Sequence, residues 1–287
     1  MYAPILLYTL YTLFFLLQPC KCVGYYEDGS GSFLEYEYAI SGVYGSEEGS
    51  GVDAPGPENS EEIPVDTEAL KFFKYTFNDN PMMLIVPQAG RLVVELVSEQ
   101  EEEIWKGGYE ETLKYARAYL GHNEEPELIL VVSETPSGRS QKYLELKGRE
   151  WVFCINHDAK IQSLKVATKH RGDFSMNLQD LEATEHCTIF QTPFLGIESR
   201  FYLPEPGYHA TEVKDGDQVL WEGFGSDKCS FSTIYFSNGL PHLLHIKVTS
   251  VLKNDFYCAK ENGVWKIVPE GEFRTMISEL RSQGTES

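Results

Sequence analysis

From about Val65 onward short apolar runs alternate with turn-forming residues, the texture of β-strands punctuated by Gly, Asn and Asp. In the C-terminal third each pair of runs brackets a dipeptide that tolerates positive φ. Thr211–Lys214 and Gln218–Glu222 flank Asp215-Gly216, Phe231–Phe236 and His242–Val248 flank Asn238-Gly239, and Phe256–Ala259 and Val264–Val268 flank Asn262-Gly263. Such dipeptides close two-residue hairpins, so this stretch predicts a meander. Upstream, Arg91–Leu96, Leu128–Val132, Gln141–Leu146 and Trp151–Ile155 predict further strands. Within Tyr109–Leu120, residues Leu113, Ala116 and Leu120 fall at helical spacing and predict a helix. Glu272–Ser282, with Phe273, Met276, Ile277 and Leu280 on one face, predicts a closing helix that covers the last sheet.

The four tryptophans expose a repeat. Val97 precedes Trp105 by eight residues and Val213 precedes Trp221 by eight; in both, an aliphatic lies one before Trp and a glycine two after. Tyr143 stands eight before Trp151 and Tyr257 eight before Trp265. Every tryptophan thus takes one of two landmark positions in a repeat of roughly 115 residues, which predicts duplication. Large aromatics recurring at equal positions more often mark a core than an exposed surface. The expected fold is mainly β (α+β in detail): two tandem antiparallel β-rich modules with a few short helices, at 65–165 and 170–282.

The N-terminal quarter reads differently. Ile5 to Leu17 is nearly all apolar, too short to span a bilayer and the right length for a signal-peptide core, with cleavage expected after Cys22. Residues 1–22 are therefore expected to be a signal peptide, and no stable membrane insertion is expected after its removal. Between Lys21 and Lys71 there is no Lys or Arg, while twelve Asp and Glu stand among Gly, Ser and Tyr. Such a stretch cannot bury enough apolar surface to offset its ordering entropy, so 23–64 is expected to be a disordered acidic segment. The whole 287-residue chain has 44 Asp and Glu against 24 Lys and Arg, a formal charge of −20. That charge repels phosphate backbones and argues against nucleic acid as a partner.

Cysteines remaining after cleavage number four, Cys154, Cys187, Cys229 and Cys258, and no CxxC occurs among them. An oxidising secretory route would allow disulfides, with Cys229 and Cys258, both in or beside predicted strands, as the candidate bridge; a reducing compartment would leave buried thiols. His242-Leu-Leu-His245 would need helical presentation to bind a metal, and a strand sends the two rings to opposite faces. The adjacent pairs His157-Asp158 and Glu185-His186 read as surface loop residues. The acidic concentration Glu95, Glu99, Glu101, Glu102, Glu103 and Glu110 lacks the alternation of a calcium loop. No nucleophile elbow, phosphate-cradling loop, dinucleotide fingerprint or His-Glu-x-x-His is present. No catalytic, cofactor-binding or metal-ligating residue is assigned, and no cofactor is expected.

The run Glu212-Val213-Lys214-Asp215-Gly216-Asp217-Gln218-Val219-Leu220-Trp221-Glu222, with Phe256-Tyr257 and Gly263-Val264-Trp265-Lys266-Ile267 further on, resembles the FAINT domain. The likeness covers about 174–270 and extends in weaker form over 66–163, where an all-acidic turn replaces Asp-Gly. These modules recur, often in tandem and after a signal peptide, in secreted proteins of piroplasm parasites. The resemblance implies an exported host-interface protein, extracellular or sent into the host cell, and no catalytic or binding residues to carry over. The expected function is a secreted, non-enzymatic binder of an unidentified protein partner, host-derived on this resemblance. The alternatives are a hydrolase with loop-borne catalytic residues and a passive surface-coat or decoy component.

Overall fold

The computed structural model describes residues 69–98, 102–250 and 255–284. The expected signal peptide and acidic segment lie outside them. The described chain is mostly β, as two tandem β-rich modules. The first comprises β1 (Leu70–Phe77), β2 (Asn80–Pro87), β3 (Glu95–Val97), β4 (Glu103–Lys106), β5 (Thr112–Leu120), β6 (Pro126–Thr135), β7 (Gly138–Lys147), β8 (Glu150–Phe153) and α1 (His157–Ser163). A connecting strand β9 (Gly172–Asn177) follows. The second comprises β10 (Cys187–Phe194), β11 (Ile197–Pro204), β12 (Tyr208–Asp215), β13 (Gln218–Glu222), β14 (Lys228–Ser237), β15 (Leu240–Thr249), β16 (Phe256–Glu261), β17 (Val264–Ile267) and α2 (Glu270–Gly284).

The two modules share one topology. The first sheet runs β1-β2-β5-β6-β7-β8, the main path of the second runs β10-β11-β14-β15-β16-β17, and each inserts a hairpin, β3–β4 or β12–β13, after its second strand. Even the irregularities repeat: the ladder slips after Leu113 in β5 and after Cys229 in β14, then again beside Tyr119 and beside Tyr235. Turn chemistry sets these registers. Asn238-Gly239 and Asn262-Gly263 take positive φ at both residues, as do Asn78-Asp79 and Leu195-Gly196, the arrangement that matches strand twist in a two-residue hairpin.

The helix expected within Tyr109–Leu120 is instead strand β5. Its bulge after Leu113 adds one residue and so places Leu113 and Ala116 on one face, with Ala118 and Leu120 following by alternation. A helix-like spacing thus arises in a strand. The strand sits between β2 and β6, and both of its faces are buried. Central burial of this kind blurs the polar alternation that would have betrayed it.

Each sheet is covered on both faces. Outside the first, β3–β4 packs Leu96, Ile104 and Trp105 over Leu113, Ala116, Ile129 and Val131. Outside the second, β12–β13 places Val213 and Trp221 over Ile234, Leu244 and Cys258. The inner faces meet in one continuous cluster joining Tyr75, Phe77, Leu84 and Tyr115 to Phe194, Phe201 and Phe231, and it includes Ile161 of α1 and Leu164 just after it. Helix α2 buries Phe273, Ile277 and Leu280 against Tyr235, Leu243 and Tyr257.

Matching registers make Phe73, Phe77 and Tyr115 the counterparts of Phe190, Phe194 and Phe231. Phe73 stacks on Phe190 with ring centroids 4.5 Å apart, Phe77 meets Phe231 at 5.8 Å, and Tyr115 meets Phe194 at 5.0 Å. Exchanging the modules turns the first contact into itself and the second into the third. This is the pattern of an isologous interface, built here inside one chain.

Candidate functional site

Trp105 and Trp221 occupy the same place in their hairpins, and Trp151 and Trp265 the same place in the last strand of each sheet. Trp105, Trp221 and Trp265 are buried and Trp151 is half-buried. Tyr143 and Tyr257 also correspond: each carbonyl accepts a backbone N–H from eleven residues on, Cys154 or Val268, at 2.8 Å. The valine landmark needs a correction. Opposite Trp221 stands Val213, but opposite Trp105 stands Leu96, and Val97 lies beyond a bulge facing Glu103. The longer acidic turn shifts the count by one, so equal sequence distance from Trp does not mean equal structural position.

The glycine two residues after each Trp has a steric cause. A Cβ on Gly107 would stand 2.6 Å from the Glu111 carbonyl oxygen and 3.2 Å from the Trp105 ring. On Gly223 it would stand 2.7 Å from the Asp227 carbonyl oxygen and 3.0 Å from the Trp221 ring. Asp215 anchors its hairpin to the sheet edge, because its Oδ2 accepts the Trp265 indole N–H at 2.7 Å and the Lys260 ammonium at 2.7 Å. Burial works to raise its carboxyl, yet these two partners hold it below the usual carboxylate range.

Two buried cationic or cation-capable side chains sit near the inner core. Arg117 is 0% exposed; its Nη1 donates to the Tyr119 hydroxyl at 3.5 Å, while Nε and Nη2 have no hydrogen-bond partner among the described residues. In the second module β15 brings His245 to the position of Leu130, which faces Arg117 in the first. His245 contacts Asp255 Oδ2 through Nε2 at 3.2 Å, Lys247 reaches the same oxygen at 3.2 Å, and the imidazole stacks on Tyr257. Burial pushes the Asp255 carboxyl up, but His245 and then Lys247 outweigh it and hold the group below its ordinary value. His242 is half-buried and three positions earlier on the same strand.

The candidate Cys229–Cys258 bridge is not formed, and the alternative of buried thiols holds: both are buried free thiols, as are Cys154 and Cys187. Strand β15 lies between their strands, with Cys229 opposite Val248 and Cys258 opposite Leu244. Two inter-strand spacings of about 4.8 Å already exceed the ~7 Å Cα limit of a disulfide. Burial pushes the Cys229 thiol up to about 12 and the Cys258 thiol up to about 11. Such thiols hold little thiolate near neutral pH and are poor nucleophiles.

His157 stacks flat on Tyr143 at 3.9 Å and so ties α1 to a landmark residue. His186 meets the edge of the Tyr208 ring, whose hydroxyl donates to Glu185 at 2.8 Å. Beside them His170, Asp173 and His209 come together at the junction of β9 and β12. Partial burial, then Lys228, then His170 lower the pKa of His209. Sequence spacing alone could not show this group, because Asp173 meets His209 only through the strand register.

Several exposed apolar side chains lie on the outer strands and just after the tryptophan hairpins. Phe153 on β8 is 63% exposed and Ile267 on β17 is 69% exposed, and the registers make them counterparts. Val264 on β17, Val219 on β13, and Tyr109 and Phe224 just after the tryptophan hairpins are exposed as well.

These features define a duplicated β-sheet module in which each sheet is capped by a tryptophan hairpin and the two are joined face to face. Residues 180–251, from before β10 to just past β15, match the family model FAINT, described as a domain of unknown function, DUF529. The match covers about a quarter of the chain, and over that stretch of the second module the chain is similar to the FAINT domain. No curated protein and no solved structure matches it.

Proposed function

We propose that the protein is a secreted, non-enzymatic binder working at a parasite–host interface, and that it engages a protein partner through the outer strands of its two sheets. The observation that carries this reading is the paired exposure of Phe153 and Ile267. Each projects from the last strand of its sheet, a four-residue strand paired on one side only. Unpaired strand edges offer backbone hydrogen bonds to an incoming segment, and exposed apolar side chains beside them add a pocket or anchor. The chain's formal charge of −20 would favour a basic partner.

The test uses immobilised full-length protein incubated with host-cell extract, alongside a Phe153→Asp/Ile267→Asp variant shown by circular dichroism to be folded. A partner held by the wild-type protein and lost from the variant supports the reading. Equal retention by both, or no specific retention by either, overturns it.

A further inference from the structure

Strand β9 belongs to the connection between the modules. It runs parallel to β12, with Asp173 directly opposite His209. His170 lies three residues before Asp173, just ahead of the strand. The three side chains converge: His170 Nε2 is 3.7 Å from Asp173 Oδ1, and His209 Nδ1 is 3.7 Å from the same oxygen. The two imidazole rings lie 4.5 Å apart, and one donor atom from each residue falls within 4.8 Å of the others.

This separation suits one geometry. Zinc bonds histidine nitrogen and carboxylate oxygen at about 2.0–2.1 Å, so neighbouring corners of a tetrahedron stand about 3.4 Å apart. The two carboxylate–imidazole spacings need to close by only a few tenths of an ångström, and the imidazole nitrogens, within 4.8 Å of one another, are brought to that spacing by turning the exposed His170 ring. Octahedral coordination at the same bond length needs about 3.0 Å, a poorer match, and magnesium and calcium favour all-oxygen sets. Two imidazoles and one carboxylate form a borderline donor set of the kind taken by Zn²⁺ and its transition-metal neighbours. His170 and Asp173 are exposed and His209 is half-buried, so an ion can enter without opening the core.

One neighbour opposes binding. Lys228 Nζ lies 3.4 Å from His209 Nε2. Metal at Nδ1 leaves the proton on Nε2, facing the ammonium, so Lys228 must swing aside on its flexible stem. The lysine therefore weakens binding without blocking the ligand atoms.

We propose that His170, Asp173 and His209 form a zinc-class divalent metal site with three protein ligands and a fourth corner open to solvent. The ion would pin β9 to β12 and thereby fix the connection between the modules to the second one. This inference does not depend on the binding role proposed above.

The test is titration of untagged, chelator-treated full-length protein with Zn²⁺ by calorimetry and with Co²⁺ by visible absorption. The expected result is saturable binding of one ion per chain, a cobalt spectrum of four-coordinate intensity, and a thermal midpoint raised by Zn²⁺. His170→Ala and His209→Ala should each weaken binding at least tenfold, while His157→Ala leaves it unchanged. Lys228→Met, which removes no ligand, should tighten binding several-fold and guards against a loss caused by misfolding. Absence of stoichiometric binding, or binding that survives both ligand substitutions, overturns the proposal.

Discussion

Phe73 and Phe190 stack on one another across the inner faces at a place each module's symmetry partner shares, with centroids 4.5 Å apart and planes inclined by 15°. Truncating a fully buried phenylalanine to alanine costs about 3–5 kcal/mol. Both rings are only partly buried against the core, so about half of that, ~2 kcal/mol each, is expected for Phe73→Ala and Phe190→Ala. An offset stack adds about 0.5–1.5 kcal/mol beyond the area it buries. The double variant should therefore lose less than the two single losses together, by about 1 kcal/mol, because the second truncation removes a ring that has already lost its partner. Urea unfolding followed by tryptophan fluorescence measures all four corners of the cycle. Phe256→Ala, on the outer face of the second module, serves as a control that should combine additively with Phe73→Ala. Additivity of the Phe73 and Phe190 losses within about 0.3 kcal/mol would refute face-to-face coupling of the modules.

Gly107→Ala and Gly223→Ala should each destabilise the protein by about 1–3 kcal/mol, since the added methyl meets a backbone carbonyl that cannot rotate away; unchanged melting would contradict the steric reason given for the landmark. Asp255→Ala removes the buried carboxylate that His245 and Lys247 both contact and should cost about 3–5 kcal/mol at neutral pH. Because the folded Asp255 carboxyl is held below its unfolded value near 3.9, its stabilisation is complete above that value and is lost as pH falls through the lower folded one. Acid unfolding curves of the wild type should show that extra slope and Asp255→Asn should lack it. Arg117→Met replaces a buried guanidinium that has no carboxylate partner among the described residues and should be neutral or stabilising by about 1–4 kcal/mol, whereas a loss of more than about 2 kcal/mol would show that the charge is compensated after all.

The tryptophan landmarks and the Asn-Gly turns were legible because each depends on a local requirement, a large ring with no room for a side chain two residues on, or two consecutive positive φ angles. Strand β1 turns into β2 through Asn78-Asp79 and β10 into β11 through Leu195-Gly196, weaker signals for the same geometry, and these strands escaped the sequence reading. Strand β5 carries helical spacing because a bulge reproduces it in a largely buried strand. The one-residue slip at Val97 and the unbridged Cys229 and Cys258 share a cause: both depend on cross-strand register, which local sequence does not fix. The His170, Asp173 and His209 cluster was hidden for the same reason, since a parallel pairing between distant segments creates it. Exposed Phe153 and Ile267 could have been found by carrying the Trp151–Trp265 correspondence two residues further along each strand.

Differential scanning calorimetry of the full-length chain bears most directly on a duplicated module whose copies share one core. The inner-face cluster joins residues of both sheets, so neither sheet can unfold without exposing the other's apolar face. A single transition is predicted, with calorimetric and van't Hoff enthalpies equal. Two separable transitions, each with the enthalpy of about half the chain, would contradict the shared core and leave two independent domains on one chain.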